Sequence, residues 1–239
     1  MDMKILAIGN SFSEDATALL QLLSPGLFVR NLYIGGCSLQ RHCAEMASGA
    51  ASYMYQENGA DCLGRLVTLK EGLVKEKWDY ITVQQVSGDS GRLETYRPYL
   101  TELIAYIKRY SSAEIVFHQT WAYENDSIHP AFPLYDSDTD KMWAAIKEAS
   151  QAASKEEGLR LIPVGEMIAA LRKTPVFDSR NGGLNITRDG FHLSLNYGRY
   201  AAALVWCHFF TGKIPAALEG YDSEPFRTVY KTFCEQIQR

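Results

Sequence analysis

Three absences narrow the reading before any motif is considered. No long apolar run is present: Met1-Asp2-Met3-Lys4 leads into a hydrophobic segment of only about five residues, too short for a signal core or a membrane span. No membrane association is therefore expected; as written the chain is cytoplasmic, or periplasmic or secreted if a leader has been removed. No basic stripe is present either. The 24 Lys and Arg residues are scattered among 28 Asp and Glu, for a net charge of −4, which argues against nucleic acid as a partner. The five cysteines (Cys37, Cys43, Cys62, Cys207 and Cys234) are odd in number and show no CxxC spacing, so they are expected to be mostly reduced core thiols rather than a zinc site.

Phosphate and metal signatures are missing too. The Gly9 turn has no Walker-type lysine after it. The acids of Tyr135-Asp136-Ser137-Asp138-Thr139-Asp140 lack the sixth-position glycine and closing glutamate of a calcium loop, and fit an N-terminal cap better. No metal and no cofactor are expected.

The chain does have an ordinary globular composition, 46% hydrophobic and 22% charged, without a linker, repeat or low-complexity tract. Residues 1–239 are expected to form a single domain. Apolar runs at Lys4–Ile8, Leu27–Tyr33, Asp79–Val83, Glu114–Phe117 and Leu159–Ile162 predict strands. Helical spacing predicts helices over Glu14–Leu23, Leu63–Lys75, Leu93–Tyr110, Asp140–Glu157, Val164–Leu171, Leu195–Phe210 and Glu224–Gln238. This β/α alternation implies a parallel sheet covered on both faces, with sites at the carboxyl ends of the strands.

Two such ends carry candidate chemistry. After the first strand comes Gly9-Asn10-Ser11-Phe12-Ser13, where Ser11 is either an exposed hydroxyl at a helix start or a helix cap. Before the long helix near the C-terminus comes Asp189-Gly190-Phe191-His192. A serine hydroxyl needs a base to take its proton, and an imidazole needs a third group to hold its tautomer. Asp and His three residues apart can supply both; alternatively, Asp189 merely ties up a helix-entry turn.

Taken together, Gly-Asn-Ser and Asp-x-x-His resemble blocks one and five of the SGNH (GDSL-like) hydrolases, with the flanks His118-Gln119-Thr120-Trp121-Ala122-Tyr123 and Arg188–Ser194 resembling an uncharacterised bacterial branch of that group. The resemblance implies a flavodoxin-like three-layer α/β/α fold with a parallel sheet of about five strands. It also implies a catalytic triad in which Ser11 is the nucleophile, His192 the general base and Asp189 its orienting partner.

This chain departs from the block pattern twice. Asn10 stands where the family has Asp, and the Gly-x-Asn-Asp of block three is absent; the third strand runs instead into Gln84-Gln85-Val86-Ser87-Gly88. The oxyanion donors are therefore expected to be Gln85, or alternatively Gln84, since neighbours on a strand face opposite ways. They would act with the backbone N–H groups of Ser11 and of Gly35 or Gly36, which match the block-two glycine. The two glutamines could equally be polar strand-end caps.

The stretch Thr120–Asp138 is the candidate functional loop, and its Trp121, Tyr123, His129 and Phe132, with Asn10, are the candidate substrate-binding residues. His118 is expected to be a bonded structural histidine, His42 to sit on a surface helix, and His208 to be core or interface. The expected function is a serine esterase acting through an acyl-enzyme on a small-molecule or carbohydrate ester, with O-acetyl removal from carbohydrate preferred. The rivals are a lipid or thioester hydrolase and a non-catalytic glycan-binding module on the same scaffold.

Overall fold

Ile5, Leu6, Ala7 and Ile8 are all buried in β1 (Met3–Gly9), which is why this strand appears in the sequence as an unbroken apolar run. In the computed structural model, which describes residues 2–238, β1 pairs in parallel with β2 (Leu27–Tyr33) and β5 (Tyr80–Val83). The parallel sheet continues through β6 (Glu114–His118) and β7 (Arg160–Ile162). These five are the strands predicted from the sequence.

Two more lie outside β2. β3 (Met54–Glu57) and β4 (Ala60–Asp61) are antiparallel, giving the order β4-β3-β2-β1-β5-β6-β7. The sheet thus has seven strands rather than about five, and its added edge is a hairpin. Asn58 and Gly59 turn that hairpin with φ of 51° and 79°, the pair of positive values that a two-residue turn of the type I′ class requires.

Side chains alternate across the strands, so Ile5 and Ala7 enter one core while Leu6 and Ile8 enter the other. The first core is covered by α1 (Ser11–Thr17), α2 (Leu20–Leu23), α7 (Val164–Leu171), α8 (Tyr197–Thr211) and α9 (Glu224–Ile237). The second is covered by α3 (Leu39–Ser48), α4 (Leu69–Val74) and α5 (Tyr99–Tyr110). α6 (Thr139–Glu156) contributes to both, and Asp138 caps it by accepting from the Asp140 and Lys141 N–H groups. The architecture is three-layer α/β/α, and the five parallel strands run in flavodoxin-like order. Connections leave β1 in opposite directions on its two sides, which places the reversal of strand order, where such folds bind ligands, at the end of β1. No helix among the described residues is long and apolar enough to cross a membrane.

Two helices are shorter than predicted. α4 starts at Leu69 rather than Leu63, because Thr68 caps it by accepting from Glu71 N–H. α5 starts at Tyr99 rather than Leu93, with Pro98 at its N-cap and a short 3₁₀ turn, Leu93–Thr95, before it.

His42 is a further correction: it is not on the surface but fully buried, its Nδ1 2.9 Å from the Tyr53 hydroxyl. Burial lowers its pKa to about 4. The unfolded chain therefore takes up the proton first, and stability present above the unfolded value of about 6.5 is lost as pH falls toward the folded one. Between pH 7 and pH 5 this one group is expected to cost about 2 kcal/mol of unfolding free energy. Urea titrations of wild type and His42→Gln at the two pH values check this: the variant's pH dependence is expected to be shallower by that amount, and parallel curves would refute it.

Candidate active site

The turn that carries Ser11 is shaped by close packing. A Cβ at Gly9 would lie 2.7 Å from Ser13 Oγ and 3.0 Å from Gln84 Cδ, so any larger residue there would push these side chains aside. Asn10 is the N-cap of α1 and its Oδ1 accepts from Phe12 N–H at 3.0 Å. The capping that Ser11 could have supplied is thus done by its neighbour, and the Ser11 hydroxyl is left for another partner. That partner is His192: Ser11 Oγ lies 2.8 Å from His192 Nε2.

On the other side of the ring, His192 Nδ1 lies 2.6 Å from Asp189 Oδ2. Asp189 Oδ1 accepts from the backbone N–H groups of His192 at 2.8 Å and Phe191 at 3.2 Å, which fixes the carboxylate within its own turn. Burial alone would raise the Asp189 pKa; the hydrogen bonds from the His192 ring and these two N–H groups outweigh it and hold the carboxyl below its ordinary value. An anion there favours a proton on Nδ1 and leaves Nε2 to accept from the serine. The ring is clamped by Phe191, centroids 4.2 Å apart, and lies 6.0 Å from Phe12.

The structure also supplies an anchor that the sequence reading missed. Asp15, one turn along α1 from Ser11, is completely buried. It accepts from Arg188 Nη1 at 2.9 and 3.0 Å, from Arg199 Nε at 2.9 Å and Nη2 at 2.7 Å, and from Leu193 N–H at 2.9 Å. Arg188 also donates to the Leu193 carbonyl. One carboxylate therefore ties the helix that carries Ser11 to the segment that carries His192. The available signal was a charged residue on the inward face of a helix whose neighbour Ala16 is core, with two arginines bracketing the Asp-x-x-His turn.

Asn10 has a role that its usual aspartate could not fill. Its Nδ2 donates to the Cys37 carbonyl at 3.1 Å, while its Oδ1 accepts from Gln84 Nε2 at 2.7 Å. Gln84 Oε1 in turn faces His118 Nδ1 at 2.9 Å, and His118 is fully buried. Burial lowers the His118 pKa to about 3, so the ring is neutral and donates from Nδ1. The amide of Asn10 thus joins the Ser11 turn to the Gly35-Gly36 turn, in which Gly36 has φ of 60°.

Neither glutamine points into the site. Gln85 donates through Nε2 to the Thr95 carbonyl and hydroxyl, both at 3.0 Å, and accepts through Oε1 from Leu39 and Val86 N–H. Gln84 is spent on Asn10 and His118. The expected oxyanion role of Gln85, and its alternative Gln84, is corrected accordingly: both amides are strand-end caps with their hydrogen bonds committed.

A cleft of about 370 Å³ opens beside Ser11 and His192, lined also by Asn10, Gly35, Gly36, Ser87, His129 and Phe191, with Glu14, Tyr33 and Arg188 among its polar walls. Its volume is in the range of small-molecule sites. Of the expected substrate-binding residues, His129 and Asn10 line it. Trp121, Tyr123 and Phe132 do not: all three are buried behind it, Trp121 stacked on Phe12 with centroids 4.2 Å apart and its Nε1 donating to the Phe191 carbonyl. They support the wall rather than form its surface.

Comparison with known proteins agrees with this architecture. A crystal structure of a DUF4886 family protein from Bacteroides uniformis is 35% identical, with a TM-score of 0.89 over 100% of this chain and 95% of that one. A protein from Slackia heliotrinireducens proposed to be an SGNH hydrolase is 24% identical, with a TM-score of 0.60 over 88% of this chain and 100% of that one. The acetylxylan esterase Axe2 from Geobacillus stearothermophilus is 15% identical, with a TM-score of 0.51 over 89% and 94%. The fold is that of the SGNH hydrolases. Among curated proteins no sequence match is found. The family model described as a domain of unknown function, DUF4886, matches residues 4–225, and this chain is a member of that family.

Proposed function

We propose that the protein is a metal-independent serine esterase. The observation that carries this reading is the continuous hydrogen-bonded chain from Ser11 Oγ through His192 to Asp189, opening on a cleft. Ser11 Oγ bonds to the acyl carbon as its proton passes to His192 Nε2, and the carbonyl oxygen becomes an oxyanion. The backbone N–H groups of Ser11 and of Gly35 or Gly36, residues that line the cleft, would be the donors to this oxygen. Collapse of the intermediate expels the alcohol, which takes the proton from His192. Water then repeats the sequence on the acyl-enzyme, releasing the carboxylic acid and restoring Ser11.

A small acyl group on a carbohydrate is the preferred substrate. The cleft is of modest volume, and Glu14, Tyr33, Arg188 and Ser87 give its walls hydrogen-bonding groups suited to sugar hydroxyls, with Phe191 and His129 as the exposed ring surface. A protein of the same fold that acts on acetylated xylan is a precedent at the level of architecture.

A fluorophosphonate probe tests the reading, because it reacts with an activated serine and not with a pocket. Wild type is expected to gain one adduct mapping to Ser11, and Ser11→Ala none. Folded wild type that takes up no label would favour a glycan-binding module instead.

A further inference from the structure

With Gln85 committed elsewhere, the side-chain donor that block three supplies in related folds must come from another residue or be missing. β5 runs beside β1 with Ile8 opposite Val83, so the residues just after Val83 lie alongside Gly9–Ser11. Of these, Val86 has its N–H bound to Gln85 Oε1, while Ser87 reaches the cleft. Among the described residues the one hydrogen-bond partner of Ser87 Oγ is the Tyr123 hydroxyl, at 2.8 Å.

The direction of that bond follows from counting protons. His129 Nδ1 accepts from Ala131 N–H at 3.1 Å, so the proton of the neutral ring sits on Nε2. Nε2 faces the Tyr123 oxygen at 3.5 Å, a long contact in which tyrosine can only accept. Burial holds the His129 pKa down against the opposing pull of Asp189, and burial holds the Tyr123 phenol protonated. The Tyr123 proton therefore goes to Ser87 Oγ, and the Ser87 proton is left to point into the cleft shared with Ser11, Gly35 and Gly36.

We propose that Ser87 is the third oxyanion donor, its hydroxyl oriented by Tyr123 and, through it, by His129. The assignment rests on the esterase reading above. It gives the buried Tyr123 and the cleft-lining His129 a common task, and it explains how the site can dispense with the asparagine of block three. A hydroxyl polarised by a second hydroxyl is a stronger donor than one alone.

The test is the hydrolysis of p-nitrophenyl acetate by wild type, Ser11→Ala, Ser87→Ala and Ser87→Cys. Cysteine nearly preserves the shape of serine but is a weak donor, so it carries the test if the alanine variant does not fold. Both Ser87 variants are expected to lose about 10²-fold in kcat with KM within about twofold of wild type, since the oxyanion exists only beyond the ground state. Wild type active, Ser11→Ala inactive and folded Ser87 variants at the wild-type kcat would overturn the assignment alone. Equal rates for wild type and Ser11→Ala would overturn the esterase reading and the assignment with it.

Discussion

Ser11→Ala is expected to leave the fold intact and to lower kcat on an activated acetyl ester by roughly 10⁴–10⁶-fold. The structural reason for the intact fold is that Ser11 caps nothing. Asn10 does the capping, and the Ser11 hydroxyl is bonded to His192. Its removal therefore strips away the proposed nucleophile and little else. His192→Ala is expected to fall to a similar level, and the double variant no further, because the two groups act in one step. Initial rates for the three variants beside wild type, with circular dichroism as a check on folding, decide the matter. Rates equal to wild type in all three would mean that the short Ser11–His192 contact is an ordinary hydrogen bond with no part in turnover.

Asp15→Ala carries the largest expected effect on stability. The carboxylate is fully buried between two guanidinium groups and a backbone N–H, so removing it leaves two charges and a donor unmatched. The arginine side chains are 32% and 22% exposed, which lets water reach them and puts the loss at about 3 kcal/mol, the lower end for a broken buried pair. Asp15→Asn is expected to lose a comparable amount, because its amide turns a donor toward groups that are themselves donors. Activity is expected to fall with it, by about 10²-fold in kcat, since the ring on the 188–199 segment loses its fixed distance to Ser11. Urea denaturation and steady-state kinetics read the two effects separately. Asp15→Ala with wild-type stability and rate would show that the 188–199 segment is held by its other contacts.

The sequence revealed some of these features and concealed others for identifiable reasons. Strands buried on both faces are largely apolar, and all five parallel strands were visible as short apolar runs even though β2 also carries Arg30 and Asn31. The β3–β4 hairpin was not. Met54-Tyr55-Gln56-Glu57 and Ala60-Asp61 are short and mixed in polarity, and only Asn58-Gly59 signalled a turn. Pro98 marked where α5 begins, yet the apolar period upstream of it suggested a longer helix. Ser11, Asp189 and His192 were legible because local motifs carry them, and the structure brings the three together. Gln84 and Gln85 misled because two adjacent amides at a strand end can face a ligand or the protein, and only their partners decide which. Trp121, Tyr123 and Phe132 misled for a related reason: a loop without a helical or strand period does not show which residues it buries. Asp15 was hidden because its partners lie more than 170 positions away in the chain.

The span between Ser11 and His192, 181 positions, has a consequence for the order in which the protein acquires its chemistry. Synthesis proceeds from the N-terminus, and early segments begin to organise before later ones exist. A nascent chain therefore presents Ser11 as an ordinary alcohol until the 181 positions to His192 have been added. The imidazole that would activate it, and Arg188 and Arg199, which complete the charges around Asp15, arrive together in one segment, residues 188–199. On the proposed esterase reading, reactivity is thus acquired in one late step, on a sheet whose seven strands have all already been made.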